Sequence, residues 1–336
     1  AERVEMLLAG DSPGSIARSM GLGAIGFSRA YEHLNPDVLL LLGDRFEMHS
    51  AAVSAVPFNL PLAHIHGGEV TSGAIDDALR HSITKLSHLH FVSTEKYAAR
   101  LAQMGEEEWR ISVTGAPSLD NLSHIAWMNF AELSKQFGFS ITEAPLIVTF
   151  HPTTLETDAT AAQTQQLLSA LGEFAVPCVF TLPNADTGGR AISRLVQNYC
   201  RTRQDAHLVE NMGTRAYFSL MRLGLAMVGN SSSGIIEAPS FELPVVNIGS
   251  RQDGRIRGMN VIDVSPTAAD IEAGIRKAID PAFRLRLAQS TNPYGQGRAG
   301  ERIAARLAEA PDRDVLIRKH FVDQRSYLPV ASNSSY

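Results

Sequence analysis

Short apolar runs separated by longer amphipathic stretches recur along most of the chain. In the first half the runs Asp37–Gly43, Leu62–His66, Leu89–Ser93 and Ile111–Gly115 predict strands, with helices over Phe46–Val56, Ala74–Ser87 and Glu95–Met104 between them. In the second half strands are predicted over Leu146–Phe150, Val176–Leu182, His207–Glu210, Ala226–Gly229, Val245–Ile248 and Val261–Val264. Helical patterns over Ala159–Phe174, Arg190–Arg201 and Thr267–Ile279 fill the gaps. The runs are continuously apolar rather than alternating, the mark of strands buried on both faces of a parallel sheet. Strands alternating with helices at this spacing give a doubly wound α/β class. A helical segment gives way to a new strand series near Ile141–Pro145. The expected architecture is therefore two doubly wound, Rossmann-like domains facing across a cleft, residues 1–143 and 144–310. A tail, 311–336, is expected to be helical to about Arg325 and then loose.

Composition narrows the function classes. The 336 residues are 44% hydrophobic and 19% charged, enough apolar material for two cores and too much for wholesale disorder. A net charge of -5 leaves no electrostatic footprint for nucleic acid or an anionic membrane. No apolar run approaches the ~20 residues that span a bilayer. Two cysteines, Cys178 and Cys200, make no disulfide framework and suit a reducing cytoplasm.

Ligands of such folds sit beyond the carboxyl ends of the strands, so the residues there carry the candidate chemistry. Gly229-Asn230-Ser231-Ser232-Ser233-Gly234 follows an apolar strand and precedes a helix start, an arrangement that holds diphosphate through backbone N–H groups and hydroxyls. Glu237, one turn on, is placed to accept hydrogen bonds from sugar hydroxyls; the plain alternative is a capping serine with a solvent-facing glutamate. Asp44, Glu69 and Asp76 each lie at or just after a strand end. Carboxylates crowded in one cleft have their pKa values driven apart, which yields an acid and a base for proton transfer. For Asp76-Asp77 alone, a helix start favoured by the dipole explains the residues as well. His151 faces the same cleft from the second domain, as a phosphate donor or proton shuttle.

Two further patterns are weaker. Gly21-Leu22-Gly23-Ala24-Ile25-Gly26 spells GxGxxG, but a helical stretch rather than a strand precedes it, so a glycine-rich loop is the better expectation. Six of the 11 histidines fall between His49 and His90. His64 and His66 alternate on a strand and, with Asp44, form a conceivable metal set for a phosphoesterase; local hydrogen bonding is the competing account.

Taken together, several stretches resemble the hydrolysing UDP-N-acetylglucosamine 2-epimerases. They are Gly43-Asp44-Arg45-Phe46-Glu47, the run from His64 through Gly67-Gly68-Glu69 to Arg80–His88, Thr114–Pro117, Phe150-His151-Pro152, Pro183-Asn184, Gly229–Pro239 and Asn247–Gln252. The likeness extends from about Val4 to Ala308. It implies a glycosyltransferase-B-like fold binding a UDP-2-acetamido sugar between the domains, with no cofactor and no metal. The implied reaction is anti-elimination of UDP followed by addition of water, giving N-acetylmannosamine for sialic acid-type pathways. By position the resemblance puts Ser231, Ser232 and Glu237 on diphosphate and ribose, with Ser233 and Gly234 in the same turn. His151 and Asn184 line the UDP side, Arg45 neutralises phosphate, and Asp44 and Asp76 fall on catalytic carboxylates. Many members carry Glu where this chain has His66, so His66 or Glu69 takes that proton role. Non-hydrolysing relatives read HVEAGLR here, and the present sequence leans to the hydrolysing branch; a UDP-2,4-diacetamido sugar is the other substrate, and a nucleotide-sugar sensor without turnover the remaining reading. The family also opens with a strand and a Thr-Gly-[ST]-Arg-Ala-type loop; none precedes Val4, as if roughly 60 residues of the usual first domain were missing. A homodimer or homotetramer in the cytoplasm is expected, with Leu86–Phe91 as a candidate contact.

Overall fold

The computed structural model describes residues 2–8, 12–71, 75–152, 159–182 and 189–323. Helix α1 (Pro13–Leu34) leads into a parallel sheet of β1 (Leu39–Leu42), β2 (Leu62–Ile65), β3 (Leu89–Val92) and β4 (Ile111–Val113), in that spatial order. Helices α2 (Phe46–Ala55), α3 (Ile75–Leu86) and α4 (Glu95–Gln103) connect its strands, and α5 (Phe130–Phe137) precedes the second sheet. That sheet is built from β5 (Leu146–Thr149), β6 (Cys178–Thr181), β7 (Ala206–Val209), β8 (Ala226–Gly229), β9 (Val245–Ile248) and β10 (Val261–Val264), in the order β10-β9-β8-β5-β6-β7. Its helices are α6 (Thr160–Gly172), α7 (Gly189–Thr202), α8 (Gly213–Leu223), the single turn α9 (Ser233–Ile236) and α10 (Ala268–Ile279). Helices α11 (Pro281–Leu287), α12 (Ala299–Ala308) and α13 (Arg313–Ile317) follow. All ten predicted strands form: β8, β9 and β10 have the predicted bounds, β7 is shifted by one residue, and the other six are shorter by one to three residues.

The continuous apolar runs follow from two covered faces. Along β5, Leu146 and Val148 enter one core with Leu167 and Ile275, while Ile147 points the other way into a core with Leu220 and Leu243. Successive side chains in a strand alternate in direction, so a strand covered on both sides needs apolar residues at every position. β1 is the exception. It is the edge of its sheet among the described residues, and Leu40 and Leu42 are exposed while Leu41 is buried.

Three expectations change. The GxGxxG stretch is neither a nucleotide fingerprint nor a loop: it lies inside α1, which Ser12 caps by accepting from Ser15 N–H. Gly23 and Gly26 lie beneath Met6 and Val4. The tail is helical only to Ile317, and the residues beyond 323 lie outside the described chain. Helix α12, which sequence places with the second domain, packs on the first sheet: its Ile303, with Leu316 of α13, joins Ala63, Ile65, Leu89 and Phe91. Leu89 and Phe91 are thus interior residues and give no dimer contact.

The returning segment is held by buried charge. Arg110, fully buried, donates to the Leu316 carbonyl (2.9 Å) and the Arg318 carbonyl (2.8 Å). Glu106, whose side chain is buried, receives Lys85 (2.6 Å), Lys319 (2.7 Å) and the Nε2–H of His90 (2.9 Å). Burial alone would raise the Glu106 carboxyl, but these donors outweigh it and bring it down from 4.5 to about 2. A carboxylate depressed in the folded state contributes stability above its unfolded pKa and loses it as pH falls through the folded value. Glu106→Gln should therefore cost about 3 kcal/mol at neutral pH, the scale of breaking a buried ion pair. The variant should also lose less stability than the parent between pH 4.5 and about 2. Urea unfolding across a pH series checks both; an unchanged midpoint at pH 7 would refute them.

Candidate active site

The second sheet reverses its winding between β5 and β8, and crevices at such points receive ligands in open α/β sheets. Asn230, just past β8, locks the crevice. Its Oδ1 accepts from His151 N–H (2.7 Å) and its Nδ2 donates to the His151 carbonyl (2.9 Å). The Asn230 carbonyl in turn accepts from Gln252 Nε2 (2.8 Å) and Arg251 Nη1 (3.2 Å). Gly229, at φ 140°, permits this approach, since a β-carbon there would overlap the Thr149 carbonyl.

Beyond this clamp Ser231, Ser232 and Ser233 are half-buried and Gly234 is buried. Burial pushes the Tyr217 hydroxyl of α8 up to about 12, against the influence of the Ser233, Thr149 and Ser231 hydroxyls, so at neutral pH it remains protonated. Glu237, closing α9, is buried and accepts from Ser118 Oγ (2.6 Å) in the segment after β4; burial raises its carboxyl. It is not the solvent-facing residue of the plain reading. A cavity of about 370 Å³ opens here, with Ser118, Thr181, Glu210, Tyr217, Ser233 and Glu237 among its walls. The His151 imidazole is pushed down to about 3 by burial and the Arg251 charge, and its Nδ1 is buried with no partner among the described residues.

The facing wall comes from the first sheet. His66 leaves β2 in the left-handed region (φ 69°), which takes it out of the strand's alternation with His64. Its Nδ1–H donates to Glu69 Oε1 (2.7 Å), which also accepts from Ser93 Oγ (3.1 Å). Glu69 is only 2% exposed, and Arg255 Nη2 stands 3.4 Å from its Oε2. Burial alone would raise this carboxyl; the charges of His66, Arg255 and Arg80 and the His66 hydrogen bond hold it well below the ordinary range. Arg80, 1% exposed, donates to Asp44, to Asp77 (3.1 Å), to the Glu69 carbonyl (3.0 Å) and to Thr71 Oγ1 (2.7 Å).

Asp44, His66 and Glu69 are thus brought together around Arg80. Asp76 is half-buried in the first turn of α3, and its neighbour Asp77 is the carboxylate that meets Arg80 and accepts from Thr71 N–H (2.9 Å). Arg45 stands half-exposed before α2, paired with Glu47 (3.3 Å). Asn184 lies outside the described residues. The Asp44/His64/His66 metal set does not form. His64 is fully buried with Nε2–H on the Gly43 carbonyl (2.8 Å) and Nδ1 on Thr84 Oγ1 (3.2 Å), and Asp44 is taken by Arg80. No group of three potential ligands gathers among the described residues. Sequence reasoning passed over Arg80, Ser118, Tyr217 and Arg255. Arg80 sits within the quoted Arg80–His88 stretch; the other three carry no strand-end signal.

Residues 1–308 match the sequence profile described as UDP-N-acetylglucosamine 2-epimerase. The chain belongs to this family. It is 39% identical over 324 residues to the GDP/UDP-N,N'-diacetylbacillosamine 2-epimerase (hydrolyzing) of Campylobacter jejuni, covering 96% of this chain and 84% of that protein. A UDP-N,N'-diacetylbacillosamine 2-epimerase (hydrolyzing) of Legionella pneumophila is 38% identical, covering 93% and 81%. The crystal structure of a UDP-GlcNAc 2-epimerase from Neisseria meningitidis bound to UDP-GlcNAc superposes with a TM-score of 0.78 at 19% identity, covering 90% and 84%. The fold is accordingly the glycosyltransferase-B-like pairing of two parallel α/β sheets.

Asn230→Ala would leave the His151 backbone N–H and carbonyl without their side-chain partner inside the crevice. Each buried polar group left unpaired costs roughly 1–3 kcal/mol, so a loss of about 3 kcal/mol is expected in urea unfolding. An unchanged midpoint would show that the clamp contributes nothing.

Proposed function

We propose that this member of the epimerase family is a hydrolysing 2-epimerase, taking a UDP-2-acetamido sugar and water to UDP and the free sugar inverted at C2. The observation that carries the reading is the pair of opposed walls. His66, Glu69 and Asp44 gather on one side; a hydroxyl-lined turn with a buried glutamate stands on the other. Inversion at a carbon requires a proton to leave one face and another to arrive on the opposite face, so two separate acid–base groups are needed. Asp44 and the His66–Glu69 pair are those groups. One takes the C2 proton as the C1–C2 double bond forms and the C1–O bond breaks, its electron pair leaving with UDP. Water then delivers hydroxyl to C1 of the 2-acetamidoglucal while the other group protonates C2; that group recovers a proton from the same water, and the first passes the C2 proton to solvent. No oxidant, reductant or cofactor enters the balance.

Ser231, Ser232 and Ser233 are assigned to the diphosphate, Glu237 to the ribose and the cavity beside Tyr217 to the base; His151 and Asn184 line the UDP side, and Arg45 offsets phosphate charge. The names of the Campylobacter and Legionella relatives favour a 2,4-diacetamido sugar over UDP-N-acetylglucosamine. The product would then feed synthesis of a sialic acid-type sugar in the cytoplasm. No helix among the described residues is long and apolar enough to cross a membrane. A homo-oligomer remains part of the proposal, without the Leu86–Phe91 contact.

Incubation with each UDP-sugar should release UDP and the free C2 epimer, faster from the diacetamido substrate. Accumulation of an epimerised UDP-sugar would overturn the hydrolytic reading, and UDP binding without turnover would leave a sensor. Asp44→Asn should reduce turnover at least ~100-fold, the scale of losing one acid–base group, with UDP affinity preserved in calorimetry. Unchanged turnover would remove Asp44 from the chemistry.

A further inference from the structure

We infer that Arg255 is a positioning residue for Glu69, so that the His66–Glu69 pair is complete only while the loop after β9 lies on the first sheet's wall. The inference rests on the reading of His66–Glu69 as a proton-transfer pair. Arg255 belongs to the second sheet's loops, yet every contact of its head group among the described residues crosses to the other side. Nε donates to the Val70 carbonyl (3.3 Å), and Nη2 to Thr71 Oγ1 (3.4 Å) beside the Glu69 carboxylate. The two carboxylate oxygens are divided between the walls. Oε1 takes His66 and Ser93 from its own wall, and Oε2 takes Arg255 from the opposite one.

The loop is built to hold that guanidinium in place. Before Arg255, a β-carbon on Gly254 (φ 82°) would come within 2.8 Å of Val70, so the backbone is pressed against the segment it crosses to. After it, Ile256 N–H donates to the Tyr97 hydroxyl (3.2 Å) and the Ile256 carbonyl accepts from the Tyr294 hydroxyl (3.0 Å). The root of the loop is tied through Gln252 to Asn230, the residue that begins the serine turn. Arg255 therefore stands on one continuous segment between the turn assigned to diphosphate and the carboxylate assigned to proton transfer.

Electrostatics gives the arginine a task beyond packing. The groups facing Glu69 are His66 from the end of β2, Arg80 from α3, Ser93 from the end of β3, Tyr97 from α4, Tyr294 ahead of α12 and Arg255. Arg80 meets the backbone carbonyl of Glu69 and spends its charge on Asp44 and Asp77. Among these contacts Arg255 is the permanent cation that meets the carboxylate itself. Without it, one of the charges that offset burial is gone, so the carboxyl rises, and its hold on the His66 ring by accepting from Nδ1–H with full charge weakens.

Rates across pH for the parent, Arg255→Lys and Arg255→Gln test this, alongside calorimetry with UDP. Arg255→Gln should lower kcat about 100-fold while KM and the UDP Kd stay within about threefold, and the acid limb of its kcat profile should move to higher pH. Arg255→Lys should recover at least about tenfold of that loss, because it keeps the charge without the fork. A glutamine variant with kcat within threefold of the parent would overturn the inference, as would a loss with an unmoved acid limb and no rescue by lysine. If the parent turns over neither sugar, the functional proposal fails separately. The ¹³C carboxyl signal of Glu69, assigned by its loss in Glu69→Gln, then decides: it should titrate at higher pH in Arg255→Gln than in the parent, and identical titration would refute the role. Should the glutamine variant not fold, the same titration on Arg255→Lys applies, with an intermediate shift expected and none refuting.

Discussion

Removing a carboxylate from water costs several kcal/mol unless its surroundings supply compensating charge and hydrogen bonds, and Glu69 imposes that requirement at the centre of this molecule. The ring of groups that meets it dictates much of the local structure. His66 adopts a left-handed conformation and reaches it, Ser93 donates from the end of β3, and Arg255 arrives from the opposite side of the cleft. Arg80 repeats the logic one layer further, fully buried itself and satisfied by Asp44, Asp77, Thr71 and the Glu69 carbonyl. Removing one member leaves an uncompensated charge rather than a simple void, so this wall behaves as a unit.

The sheets explain why that unit sits where it does. Parallel strands end together, so the segments after β1, β2 and β3 emerge side by side and bring Asp44, His66, Glu69 and Ser93 to one wall. In the second sheet the reversal between β5 and β8 opens the crevice that Asn230 clamps and the serine turn lines. Contacts from Ser118 to Glu237 and from Tyr97 to Tyr294 join the two walls by hydrogen bonds rather than by apolar packing alone. The chain after α11 returns to the first sheet, where Glu106 and Arg110 fasten it. The hydrolytic epimerisation proposed for the cleft draws on both walls, one for the proton transfers and one for the leaving nucleotide.

The strand series, the doubly wound class and the polar clusters at strand ends were legible because local rules govern them. A strand buried on both faces has to be apolar throughout, and a ligand turn has to follow it. Where the reading went astray, a partner distant in sequence decided the outcome. Nothing near Gly21–Gly26 reveals that Val4 and Met6 fold over it, and the spacing of His64 and His66 implies a shared face until the backbone turns at His66. Asp77 meets Arg80 one turn further along α3, a local pairing, and it also accepts from Thr71 N–H, a contact that the pair Asp76-Asp77 does not encode by itself.

What the sequence by itself determined is therefore the class of fold, the family, and the inventory of groups at the strand ends, since each is written in residues close together along the chain. What only the tertiary structure decided is which of those groups share a charge. Glu69 and Arg255 are far apart in sequence, as are Ser118 and Glu237, and no local pattern links either pair. Their meeting is fixed by segments beyond the strand ends of the two sheets, which face one another across a cleft. The charge of the buried Glu69 carboxylate depends on both kinds of neighbour, His66 three residues away in sequence and Arg255 brought in by the fold, because in a low-dielectric interior the nearest charges set protonation.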